Sequence, residues 1–131
     1  MKKIKVALTP KLKGAGKLEY CIAKDDSELY LAITENWINT ETKGDFSDEF
    51  IPVTKILKFL DNQKDQSINS KSLNCLFEIK STCNAGFLAA VFRNEGLLKA
   101  AGNNHIIQRN YLGKWEKENL ALDVGISTTK I

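Results

Sequence analysis

The chain has 131 residues and a mass of 14.7 kDa, the size of one ordinary domain. Hydrophobic residues make up 43% and charged residues 27%, a balance that excludes disordered, collagen-like and disulfide-scaffold classes. The net charge of +3 hides an asymmetry: residues 1–17 hold six lysines and no acid, whereas residues 25–49 hold eight acids against Lys43 alone. Such opposed blocks can meet within the chain, meet across a homo-oligomer interface, or face different partners.

The first residues, MKKIKVALTPKLK, start like a secretory signal but run out of apolar residues after Leu8, well short of the roughly 7–15 a signal needs. The longest apolar run also falls far below the about 20 residues of a membrane span. A cytoplasmic, soluble protein with no membrane partner is the expectation, with Cys21, Cys75 and Cys83 as free thiols.

In chain order, Ile4 to Leu8 reads as a strand. Leu18, Tyr20 and Ile22 alternate with Glu19, Cys21 and Ala23, and Leu29, Leu31 and Ile33 repeat the same period after a polar turn, which predicts an antiparallel hairpin. Gly14-Ala15-Gly16-Lys17 is the turn entering that hairpin; it lacks the spacing of a phosphate-binding loop. A polar loop over 35–45 carries Trp37 and Ile38, and Phe46 to Val53 reads as a short strand. Ile56, Leu57 and Leu60 then take helical spacing over 54–62, with Thr54 as N-cap.

Residues 70–80 satisfy helix and strand patterns equally. The clearest helix spans 84–95, with Ala85, Leu88, Val91 and Phe92 on one side and Gly96 placed to end it. A second hairpin follows over 97–108, turning through Ala101-Gly102-Asn103-Asn104, and Leu120, Leu122 and Val124 alternate as a last strand before a frayed tail over 125–131. The sum is a single α+β domain over 1–131, an antiparallel sheet packed by two or three short helices.

No constellation carries catalytic or metal chemistry. His105 is the single histidine, lies on an expected strand and has no nucleophile elbow to serve. Cys75 and Cys83 are eight residues apart and Cys21 is remote, which does not make a zinc site. No cofactor is expected, and enzymatic activity is not favoured.

Two functional readings remain. One is a binding protein that self-associates as a homodimer, with Trp37, Ile38 and Phe46 as interface anchors in or beside the acidic loop. Its partners would be a second copy, another protein or a small molecule. The other is a DNA-binding regulator. The order of helix 54–62, a short element at 70–77, helix 84–95 and hairpin 97–108 matches a winged helix-turn-helix, with 84–95 entering the major groove. Lys2, Lys3, Lys5, Arg93 and Asn94 would then contact nucleic acid.

The segments Leu29 to Asn36, Phe46 to Val53 and Asn84 to Val91 resemble small uncharacterised bacterial proteins carried on mobile integron gene cassettes, over residues 29–98. That resemblance implies a compact, often oligomeric α+β domain and no established activity, so it transfers no functional residue.

Overall fold

The computed structural model describes residues 1–78 and 82–122, without the side chains of Thr82 and Cys83. Its elements are β1 (Lys2–Pro10), β2 (Lys17–Asp25), β3 (Glu28–Trp37), β4 (Ile51–Pro52), α1 (Val53–Asp61), β5 (Ser67–Ile68), a 3₁₀ helix (Ser70–Leu76), α2 (Thr82–Glu95), β6 (Leu98–Ala101), β7 (Asn104–Ile107) and α3 (Arg109–Leu120). The architecture is α+β, as the alternating and helical periodicities require.

The expected first hairpin is β2–β3, joined to β1 and β4 in a four-stranded antiparallel sheet of order β1-β2-β3-β4. Leu18, Tyr20, Ile22, Leu29, Leu31 and Ile33 fill its core face. Two register shifts re-aim side chains. Between Lys3 and Lys5 the pairing slips, leaving Ile4 as the extra, buried residue, with Ala7 and Thr9 buried after it. In β3 the pairing runs Tyr20↔Ile33 and then Glu19↔Glu35, leaving Thr34 as the extra residue. Strict alternation would send Glu35 inward; the bulge sends in Asn36 instead, opposite the buried Leu18.

Several boundaries differ from the sequence reading. Only Ile51 and Pro52 of the segment 46–53 pair as a strand. Helix α1 begins at Val53, with Pro52 at the cap and no side-chain cap bond, so Thr54 is an exposed first-turn residue and not the N-cap. Burial of Val53 draws the helix start one residue earlier. The ambiguous stretch at 70–80 resolves over Ser70–Leu76 as a 3₁₀ helix capped by Asn69, whose side chain accepts from the Ser72 amide at 3.0 Å.

Helix α2 ends as expected. Gly96 takes a φ of +84°, and Leu97 N–H returns to the Phe92 carbonyl at 2.9 Å, the bond that closes a Schellman motif. The second hairpin, β6–β7, turns at Gly102 (φ +62°), and β5 adds to β7 to give a second sheet of order β5-β7-β6.

The largest departure lies at the C-terminal side. Leu120 ends a helix, not a strand: α3 occupies 109–120, and Leu112, Trp115 and Asn119 face inward at helical spacing. Two apolar inward positions and an internal Gly113 gave a weak helical signal. Val124 and the tail 125–131 lie outside the described residues. Arg109 locks the helix start. Its guanidinium donates to the carbonyls of Leu60, Asp61, Gln63 and Asp65 and to Gln66 Oε1, which satisfies the open C-terminal end of α1 and the turn after it.

The layers meet at a buried carboxylate. Glu95, at the end of α2, has a side chain 2% exposed; both its oxygens take Lys5 Nζ from β1 at 2.9 and 3.0 Å. Trp115 Nε1 from α3 donates to it at 3.0 Å, and Tyr20 from β2 donates its hydroxyl. The Tyr20 oxygen in turn accepts from Asn94 Nδ2 at 2.8 Å, and burial with the Glu95 charge pushes its phenol far above the ordinary range. Three donor groups on three elements, one of them held in turn by Asn94, thus compensate one desolvated charge.

Candidate functional site

β7 places His105 between Ile68 of β5 and Ala100 of β6, 1% exposed. Its Nδ1 accepts from Arg93 Nε at 2.9 Å, and its Nε2 lies 2.7 Å from Ser70 Oγ. A guanidinium can only donate, so the neutral ring carries its proton on Nε2 and gives it to Ser70. Burial, and then the Arg93 charge, push the His105 pKa down, which keeps the ring neutral. A serine nucleophile needs the opposite: an imidazole accepting from it and an anion behind the ring. Here the ring fixes the arginine, whose Nη2 also reaches the Asn104 carbonyl at 3.4 Å.

Around this relay lies a cleft of about 530 Å³ formed by Leu12 and Lys13, by Asn69 to Lys71, by Arg93 and by the hairpin turn Gly102 to His105. Lys13, Lys71 and Arg93 supply its charge, and among the described residues no Asp or Glu lines it. Among the described residues none of these three cations is paired with a carboxylate, in contrast to Lys5 with Glu95 and Lys43 with Glu35. A concave surface with three unneutralised cations, neutral amide and hydroxyl donors, and one arginine already oriented is suited to hold an anion such as a phosphate.

Of the residues proposed for nucleic-acid contact, Arg93 alone lines this cleft. Lys2 and Lys3 are exposed at the start of β1, Lys5 is turned inward to Glu95, and Asn94 is engaged with Tyr20. Lys13, Lys71, Ser70 and His105 were not chosen from sequence. The single histidine and the lysine run were visible, but their meeting depends on segments up to 92 positions apart, from Lys13 to His105.

The proposed interface residues separate in the same way. Ile38 is 49% exposed and, with the partly buried Phe46, lines a second cleft of about 580 Å³ beside Phe87 of α2. Trp37 does not line it; its ring is half-buried under Lys43 Nζ, 4.7 Å from the centroid.

Cys21 is buried, chiefly desolvation raising its thiol pKa, while Cys75 is exposed and donates to the Ser72 carbonyl; the Cys83 side chain lies outside the described residues. Among the described residues no three His, Cys, Asp or Glu side chains gather as a metal site, and no helix is long and apolar enough to cross a membrane. No family model, curated protein or solved structure matches the chain.

Proposed function

We propose that the protein binds the phosphate backbone of duplex DNA through the cationic cleft at the turn of the β6–β7 hairpin, without reading base sequence. The observation that carries this reading is the set of three cations, Lys13, Lys71 and Arg93, around one cleft, with no carboxylate pairing them or lining it among the described residues. The element order supports it: α1, β5, the 3₁₀ helix, α2, β6 and β7, with sheet order β5-β7-β6, is the order of a winged helix-turn-helix in which β6–β7 is the wing. The usual reading helix is occupied, however. Leu88 to Phe92 of α2 are all buried, because the 3₁₀ helix and β6 pack on it and so do β1 and β2. Asn84 and Asn94, its amide side chains, bond to Ser47 and Tyr20. A helix enclosed in this way has no face for a major groove, which leaves phosphate contact and removes base readout.

The test is fluorescence anisotropy with a labelled random-sequence duplex. Three phosphate contacts give a log–log salt slope of about −2.7, a loss of roughly 40-fold in affinity between about 50 and 200 mM salt. Lys13→Ala/Lys71→Ala should flatten that slope, whereas Lys2→Ala/Lys3→Ala should change it less. Binding that ignores salt, or that survives the first pair unchanged, defeats the proposal.

Self-association is the second reading. It is favoured by the charge blocks: among the described residues no ion pair joins a lysine of 1–17 to an acid of 25–49, and Ile38 stands half-exposed beside the acidic loop. Light scattering at raised concentration should give twice the chain mass, returning to one chain in Ile38→Lys; an unchanged monomer mass in the parent chain removes this reading.

A further inference from the structure

The cationic cleft and the second cleft, under the acidic loop, are neighbours on one surface, joined by the turn between β1 and β2. On one side of this turn Lys11 Nζ lies 5.5 Å from the centroid of the Phe87 ring, which is a wall of the acidic cleft. On the other side Leu12 and Lys13 line the cationic cleft together with Arg93. Gly16, with a φ of +101°, leaves no room for a Cβ against the carbonyls of Trp37 and Ile38, which seats the turn at the rim of the acidic cleft. Phe87 and Arg93 are six residues apart on one helix, about 9 Å along its axis, so poles of opposite charge stand within one small patch.

Each pole is built from side chains that reach solvent. Asp45 and Asp48 are exposed at the acidic cleft. Glu49 lines it as well but is engaged, accepting from the Glu78 N–H at 2.8 Å and the Ser47 hydroxyl at 3.3 Å. At the other pole Lys13 and Lys71 are exposed, and Arg93 is half-buried and oriented by His105. Apolar groups lie between and beside the poles: Leu12 and Phe87 are partly buried, and Ile38 is 49% exposed. A patch with one acidic pole, one basic pole and an apolar middle is complementary to itself. A two-fold axis passing beside Leu12 sets each acidic cleft against the cationic cleft of the other copy, and Leu12 against Leu12. A partner of single charge would satisfy one pole and be repelled by the other.

We propose that this patch is the isologous interface of a homodimer, in which the Asp45 and Asp48 pole of one copy meets the Lys13, Lys71 and Arg93 pole of the other. The proposal rests on the self-association reading and names its surface. The same three cations carry the DNA reading, so a duplex and a second copy compete for that pole. The test is charge reversal, read by light scattering of the full chain at raised concentration and low ionic strength. Asp45→Lys/Asp48→Lys makes both poles basic, and Lys13→Glu/Lys71→Glu turns the second pole acidic. Each variant should self-associate at least about tenfold more weakly than the parent, because like poles then meet. Mixed in equal amounts, the two variants should recover twice the chain mass, since each reversed pole now finds its opposite; a misfolded variant cannot do this. Two variants that stay dimeric would place the interface elsewhere and overturn the proposal while self-association stands. Two monomeric variants that fail to combine would overturn it as well. A parent chain that remains monomeric would remove the self-association reading and this interface with it.

Discussion

The two clefts sit at opposite ends of α2 and carry opposite charge. Asn84 and Phe87, near the start of the helix, face Asp45 and Asp48; Arg93, near its end, faces Lys13 and Lys71. This is the polarity the helix macrodipole favours, acids at the positive N-terminal end and bases at the negative C-terminal end. The clefts differ in how far their polar groups are satisfied. The cationic cleft is built on a closed chain of bonds from Arg93 through His105 to Ser70, while the acidic one keeps the unpartnered Asn36 Oδ1. One cleft is thus pre-oriented by its own residues, and the other is lined by a residue that keeps one buried oxygen without a donor among the described residues.

Glu95 breaks the pattern, and removing it gives the largest expected effect. Its carboxylate lies at the wrong end of the dipole and persists because Lys5, Tyr20 and Trp115 all donate to it. Glu95→Ala would strand these donors and loosen β1, β2 and α3 from α2, and with them both clefts. A loss of about 3–5 kcal/mol in urea unfolding is expected. A loss below about 1 kcal/mol would mean that the carboxylate is not the tie between the layers.

The cationic cleft has an acid-sensitive member. The His105 pKa is lower folded than unfolded, so the unfolded chain binds the proton more readily. The stability this neutral ring contributes is complete above its unfolded value of about 6.5 and is lost as pH falls from there toward the lower folded value. Protonation also removes the acceptor that orients Arg93. Thermal midpoints should therefore decline from pH 7 to 5.5 in the parent chain and stay flatter in His105→Gln, a contrast that equal slopes in the two proteins would erase.

The smallest effect belongs to the acidic end. Asp45→Asn/Asp48→Asn removes two exposed charges from beside the start of α2 and should cost about 0.3–1 kcal/mol, shrinking as salt is raised. A larger, salt-independent loss would show that these side chains hold the loop and do not merely face the dipole.

What could be read in advance follows the range of the interactions. The β2–β3 hairpin, the start of α1 to within one residue, and the stop of α2 at Gly96 all rest on neighbours a few positions apart, and the period-two and period-3.6 patterns report such neighbours directly. The sequence reading leaves 109–119 unassigned and places Leu120 in a final strand, because the inward face of α3 includes Asn119 and only two large apolar residues. Of the site residues, the sequence singles out Ile38 and Phe46 as large apolar groups beside an acidic loop and Arg93 as a polar group on a helix, but it does not assign Asn36, Lys13, Lys71, Ser70 or His105 to either cleft. Asn36 is the clearest case: simple alternation points it outward, and the bulge at Thr34, a matter of register with β2, reverses it.

The sequence by itself determined the α+β class, the first and second hairpins, the buried stripe of α1 and the separation of basic from acidic blocks, because each is a local periodicity or a composition. The tertiary structure decided that α2 is enclosed, that Lys5 serves Glu95 rather than a ligand, that three cations line one open cleft, and that the Asn36 amide is turned inward. Those outcomes come from partners up to 92 residues apart, whose choice depends on which charges find compensation when the layers close and which do not.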